Sequence, residues 1–205
     1  MSRLRGKIGR AAGVRLDVLI PCKRFSVGKS RLSGVLTPDE RIELCRRLLD
    51  HTIALAQGIA NCDRVAVVSD DEEVHARAAQ AGASAVADPG RGLNVALSIG
   101  NDFLAGSGQQ AALLILPIDL PLATPAALAP LISAAADVAL APDRHGAGTN
   151  IMRLKPPARP GFPFAYGADS LSRHVEGAKQ HGFSVEIFQD PRLSFDVDEP
   201  ADLEF

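Results

Sequence analysis

Short apolar runs alternate with segments of helical period along most of this chain. Leu16–Pro21, LDVLIP, is the first such run and predicts a strand. Thr37-Pro-Asp-Glu40 then carries helix-start chemistry: Thr37 caps free amides, Pro38 loses nothing at the first helical position, and Glu40 closes a capping box. Ile42, Cys45, Leu48, Leu49, Ile53 and Ala56 follow at helical spacing, so this helix buries one face before a stop at Gly58. RVAVVS (64–69) predicts a second strand, 71–81 an alanine-rich helix ended by Gly82, SAVAD (84–88) a third strand, 93–104 a helix, and ALLILP (112–117) a very apolar strand. Thr124-Pro125 opens another capped helix, and DVALAPD (137–143) is again a strand. From 144 the rhythm changes: a Gly-rich turn, RHGAGTN, leads to IMRL, a proline-rich loop, a helix from Ser170 to His181, a strand VEIFQD (185–190) and the tail SFDVDEPADLEF. Apolar strands separated by helices predict an α/β fold, a three-layer α/β/α sandwich around a mostly parallel sheet.

Composition narrows the class. With 205 residues, 46% hydrophobic and 22% charged, the chain buries enough surface to fold without a structural metal or disulfides. Residues 14–205 read as one domain, preceded by a basic, flexible extension at 1–13. Residues 1–31 hold nine Lys or Arg and one Asp, while the remainder carries 13 basic and 23 acidic residues. A basic end can face RNA, a membrane or a polyphosphate. No Trp and a single Tyr leave little to stack nucleic-acid bases on, so no nucleic-acid partner is expected. No apolar run spans a bilayer and the N-terminus lacks a signal-peptide pattern, so a cytoplasmic protein without a membrane partner is expected. Cys22, Cys45 and Cys62 form no zinc spacing and read as reduced thiols.

In a parallel sheet, ligands lie beyond the C-terminal strand ends, and the non-random polar residues follow the apolar runs. Asp119 comes directly after LLILP, and Thr124 already caps the next helix, so Asp119 reads as a ligand group. Asp196 and Asp198 are two apart and share a face if extended; they repel unless a cation sits between them. With Asp119 they suit Mg²⁺, although Asp198-Glu199-Pro200 is also helix-start chemistry. The loop after the first strand, PCKRFSVGKSRL, supplies Lys23, Gly28, Lys29 and Arg31 and can cradle a triphosphate. It is not a P-loop, which needs glycine where this chain has Lys23. The glycines of DPGRGLN (Gly90, Gly92) miss the dinucleotide spacing, but the loop can press its backbone on a base or ribose, with Asn94 supplying an amide. GAGTN and FAYGADS offer hydroxyls and free amides, the second just before a helix whose N-terminus attracts phosphate or carboxylate. His174, one turn into that helix, reads equally as a packing residue.

PCKRFSVGKSRLS, ADPGRGLN, LPIDLP, APDRHGAGTN, FPFAYGADS with His174, and FDVDEPADL together resemble the CofC/FbiD guanylyltransferases over about residues 16–204. The resemblance implies the nucleotide-diphospho-sugar transferase-like fold shared with molybdenum-cofactor nucleotidyltransferases. It implies joining GMP from GTP to the phosphate of 2-phospho-L-lactate, phosphoenolpyruvate or 3-phospho-D-glycerate in deazaflavin coenzyme (F420) biosynthesis. On this resemblance Asp119, Asp196 and Asp198 hold Mg²⁺, while Lys23, Lys29 and Arg31 attend the triphosphate. Asn94, Gly90 and Gly92 lie near the nucleoside, and Thr149, Gly167 and Ser170 receive the acid. Gly28 stands where many relatives carry alanine. The rivals are a related nucleotidyltransferase with another nucleotide or acceptor, and a catalytically silent nucleotide-binding protein.

Overall fold

The computed structural model describes residues 15–106 and 110–204; the expected basic extension at 1–13 lies outside them. In chain order the elements are β1 (Leu16–Pro21), α1 (Pro38–Gln57), β2 (Cys62–Ser69), α2 (Glu72–Gln80), β3 (Ser84–Ala87), α3 (Leu93–Ala105) and β4 (Ala112–Ile115). There follow α4 (Pro125–Ser133), β5 (Val138–Pro142), β6 (Thr149–Leu154), α5 (Ser170–Gln180), β7 (Val185–Ile187) and the short α6 (Pro191–Ser194). Single 3-10 turns cover Ser30–Gly34 and Pro200–Glu204. The start of α1 is built as its residues dictate, with Thr37 and Glu40 exchanging both bonds of a capping box.

Among the described residues, all seven strands join one sheet in the order β3-β2-β1-β4-β6-β5-β7. β1 pairs in parallel with β2 and β4, whereas β6 runs antiparallel to both β4 and β5. The side chains of β1 divide between the two faces: Leu16, Val18 and Ile20 pack with α1, α2 and α4, and Leu19 packs with α3. Burial on both sides explains why this strand reads as a continuous apolar run rather than an alternating one. The result is the expected α/β/α sandwich.

β6 is the element that the apolar pattern leaves unassigned. Its next-to-last residue is Arg153, 1% exposed. The guanidinium donates to the carbonyls of Ala134 and Ala136 at 2.9 Å each, satisfying orphan acceptors in the turn that follows α4. A buried cation thus serves as a helix-end cap, and this is why a core strand carries a charge. A second buried charge, Asp17, lies at the start of β1. It accepts from Arg159 Nη1 and Arg64 Nη2, both at 2.7 Å, while Arg159 Nε donates to Asn101 on α3 at 2.8 Å. This cluster ties the 155–166 segment to the bottom of the sheet and leaves the opposite edge free.

Candidate active site

The strand order reverses at β1 and β4, so a crevice opens beyond their C-terminal ends. The loop leaving β1 is pinned from below: Phe25 is buried and its amide donates to Asp71 at 3.1 Å, and Arg41 of α1 donates to the Gly28 carbonyl at 3.2 Å. The following residue, Lys29, adopts a left-handed backbone with φ 50° and ψ 40°. A side chain there costs roughly 1–2 kcal/mol, so the conformation has to be held by other contacts. The lysine's own partners are those contacts. Its Nζ lies 3.4 Å from Asp119 Oδ2 and 3.1 Å from Asp198 Oδ1. Burial alone would lower its pKa, but the charges of Asp119 and Asp198, reinforced by hydrogen bonds to both, prevail and raise it.

Asp119 sits in the loop leaving β4, and its carbonyl accepts the amide of Val197 at 3.0 Å. That bond lays the 196–198 segment beside the β4 loop, bringing together carboxylates nearly 80 residues apart in sequence. Asp202 fixes the segment from behind, accepting from the amides of Asp198 at 2.8 Å and Glu199 at 2.7 Å and from Arg144 Nη1 at 2.5 Å. The helix start read from Asp198-Glu199-Pro200 does form, but Asp202 provides its bonds and Asp198 faces Lys29 and Arg31 instead. Arg31 Nη1 reaches Asp198 Oδ2 at 3.4 Å with a side chain 71% exposed, against 7% for Lys29. Lys29 is therefore enclosed in the site, and Arg31 lies at its exposed rim.

Asp196 turns toward Arg144, whose Nε stands 3.5 Å from Oδ1. That contact is an ion pair without hydrogen-bond geometry, and Oδ1 is buried with no hydrogen bond among the described residues. Burial first, then the charge of Asp119, push the pKa of Asp196 up. A buried carboxylate oxygen without a donor, beside a second carboxylate, is relieved by a cation. Among the described residues no three His, Cys, Asp or Glu side chains form a metal cage by themselves. The donor set fits a hard divalent ion that keeps several waters or substrate oxygens, as Mg²⁺ does.

A second group of predicted residues gathers across the 143–150 turn. The Thr149 amide donates to Ser170 Oγ at 2.9 Å, so the start of β6 and the start of α5 are joined there. Gly167, with φ 125°, lies in the loop before α5. Asn94 exchanges two bonds with the backbone of Tyr166, at 2.8 and 3.1 Å. Its amide, expected near a nucleoside, is thus committed to holding the 165–167 loop. Gly90 and Gly92 have φ 73° and 97°, backbone that an L side chain rarely adopts, and they turn the chain into α3. Lys23 is exposed at the exit of β1. A cavity of about 520 Å³ opens between α3 and residues 161–164, touching this group at Asn94 and lying apart from Lys29 and its carboxylates.

Three supporting residues escape sequence reasoning. Arg144 braces Asp196 and Asp202, Asp202 anchors Asp198, and Arg41 holds the Gly28 carbonyl. Arg144 had a visible signal, a lone cation opening a Gly-rich turn; the other two had none.

Residues 16–205 match the family described as "Guanylyl transferase CofC like". The chain belongs to the CofC guanylyltransferase family. Its relatives include the phosphoenolpyruvate guanylyltransferase of Sphaerobacter thermophilus, 40% identical over 188 residues, 91% of this chain and 89% of that protein. The 2-phospho-L-lactate guanylyltransferase of Methanothermobacter thermautotrophicus is 37% identical over 189 residues, 90% of this chain and 81% of that protein. Solved structures confirm the fold at low identity. A nucleotidyl transferase from Methanothermobacter superposes with TM-score 0.67 at 13% identity, covering 94% of this chain and 95% of that one. 4-Diphosphocytidyl-2C-methyl-D-erythritol synthase superposes with TM-score 0.65 at 15% identity, covering 95% and 97%. As a CofC family member, the chain is a nucleotidyltransferase. No helix among the described residues is long and apolar enough to cross a membrane.

Proposed function

We propose that this enzyme transfers GMP from GTP to the phosphate of a small three-carbon phospho-acid, releasing pyrophosphate, with Mg²⁺ required and deazaflavin coenzyme biosynthesis as the setting. The observation that carries the reading is Lys29, a buried cation clasped by Asp119 and Asp198 at the reversal point of the sheet. Phosphoenolpyruvate is the acceptor favoured, because relatives named for it include the one at 40% identity. The membership of a 2-phospho-L-lactate enzyme in the same group keeps that acid, and 3-phospho-D-glycerate with it, in the test.

The acceptor's phosphate is already anionic at neutral pH, so its oxygen attacks the α-phosphorus without a base to take a proton. What remains is to bring anions together, an electrostatic and positional task. Lys29 and Arg31 offset the charge that leaves with pyrophosphate. Thr149, Ser170 and the backbone at Gly167 receive the acid and orient its phosphate. Asp119, Asp196 and Asp198 would hold Mg²⁺, which supplies charge neutralisation to the phosphate oxygens when bound.

Purified enzyme is incubated with each nucleoside triphosphate, MgCl₂ and each of the three acids, and product masses are read. GTP with phosphoenolpyruvate should give a GMP-acid adduct together with pyrophosphate. Product from CTP or ATP alone would move the chain to another nucleotide, and no product from any pair would end the proposal.

A further inference from the structure

His174 is fully buried on α5 and uses both ring nitrogens. Its Nε2 lies 3.0 Å from the backbone amide of Ala165, which can only donate, and its Nδ1 lies 3.0 Å from Thr149 Oγ1. Nε2 must therefore carry the lone pair, and a neutral ring then carries its proton on Nδ1. That proton is donated to Thr149. Protonation of Nε2 would set an N–H against the Ala165 N–H, and burial, followed by the charge of Arg173, holds the pKa down at about 4. The Tyr166 ring closes over the imidazole edge-on, with centroids 4.8 Å apart.

The polarity then propagates. Thr149 Oγ1 accepts from His174, and Ser170 Oγ accepts from the Thr149 amide. Each hydroxyl thus already accepts one bond from the protein and keeps its proton to give, and neither proton meets an acceptor among the described residues. Two buried donors side by side at the start of α5, where the Leu171 amide is already given to the Ala147 carbonyl at 3.0 Å, make a receptor for an anionic oxygen from their hydroxyl protons.

We propose that His174, as its Nδ1–H tautomer, is a positioning residue that sets the hydroxyls of Thr149 and Ser170 as donors to an anionic group of the acceptor acid and holds the 165–167 backbone behind them. This deepens the function proposed above and rests on it for the identity of the acid; the tautomer itself does not depend on that reading.

Two measurements on the full chain test it. ¹⁵N NMR of the enzyme at pH 7 should show a His174 ring protonated at Nδ1 and bare at Nε2; the opposite tautomer, or a doubly protonated ring, would overturn the proposal whatever the enzyme catalyses. Steady-state kinetics are then measured with GTP and phosphoenolpyruvate varied separately. His174→Phe, which fills the space without either bond, should raise the acceptor KM about tenfold or more with the GTP KM nearly unchanged. His174→Asn, which restores a donor near the Nδ1 position, should recover part of that loss. Equal rises in both KM values, or a fall in melting temperature with KM unchanged at a permissive temperature, would leave His174 a packing residue and overturn the proposal. A wild type with the expected tautomer that turns over none of the acids would fail the functional reading alone.

Discussion

Replacing Gly28 by alanine tests how tightly the loop after β1 is built. A Cβ at this position would sit 2.7 Å from Cys45 Sγ, with the Arg24 and Phe25 carbonyls 3.6 and 3.5 Å away. The thiol contact is closer than van der Waals distance by about 0.8–1.3 Å. Neither side yields easily. Cys45 is 2% exposed within α1, and Gly28 is held by its amide on the Arg24 carbonyl at 3.0 Å and by Arg41 on its own carbonyl at 3.2 Å. Overpacking of this kind costs about 1–3 kcal/mol, offset by roughly 0.4–1 kcal/mol from stiffening the unfolded chain. The net loss of about 1–2 kcal/mol should lower Tm by roughly 2–8 °C in a chain of this size. Because Lys29 is the next residue, a shift approaching 1 Å should also reduce kcat/KM about tenfold or more. Removing the obstructing sulfur supplies the control. In a Cys45→Ala background the Gly28→Ala change should cost little, giving a coupling of about 1 kcal/mol in the double-mutant cycle and recovery of activity. Differential scanning calorimetry and steady-state assays of the four proteins decide it. Additive losses, or a higher Tm for Gly28→Ala alone, would refute the steric argument.

Three further outcomes follow from the same contacts. Asp202→Asn should destabilise the fold by about 1.5–3 kcal/mol in urea titrations near neutral pH, since it weakens the bonds to Arg144 and to the Asp198 and Glu199 amides. The Arg144 hydrogen bond holds the Asp202 pKa well below the ordinary carboxylate range, so this contribution is fully present above about pH 4 and is lost as pH falls below it. A gap between wild type and variant that widened on acidification would contradict the assignment. Arg159→Met leaves the fully buried Asp17 with Arg64 as its remaining cation and should cost about 3 kcal/mol; a loss under about 1 kcal/mol would show the cluster to be dispensable. Stripping divalent ions with EDTA should abolish nucleotidyl transfer and leave far-UV circular dichroism unchanged, with recovery on adding MgCl₂; full turnover in EDTA would remove the metal from the mechanism.

The sequence exposed whatever is local. The capping box of α1, the apolar strands and the helices between them follow from spacing and cap chemistry, and each appears within a few residues of its expected bounds. β2 begins two residues earlier than RVAVVS suggests, and β4 and β7 end two and three residues before their runs do. Strand pairing is not local, and β6 shows why: its charge answers the orphan carbonyls after α4, a need visible only once that turn is beside it. The short α6 was signalled by Asp190-Pro191, cap chemistry hidden inside a stretch read as the end of a strand. At the site, Asp119 stood out because it interrupts an apolar run, and Lys29 because it follows one. Their meeting with Asp198 depends on a backbone bond from Val197 to Asp119, which no residue type announces. Asn94 shows the complementary gap: its residue type promised an amide for a ligand, and the fold uses that amide on Tyr166.

The Lys29–Asp119–Asp198 clasp is proposed as the seat of guanylyl transfer. It is tested most directly by single-turnover formation of the GMP adduct from GTP and phosphoenolpyruvate, comparing wild type with Asp119→Asn. Wild type should form adduct and pyrophosphate in equal amounts, while the variant should be slower by at least about 100-fold with an unchanged melting temperature. Adduct formed at the wild-type rate by the variant would contradict the account.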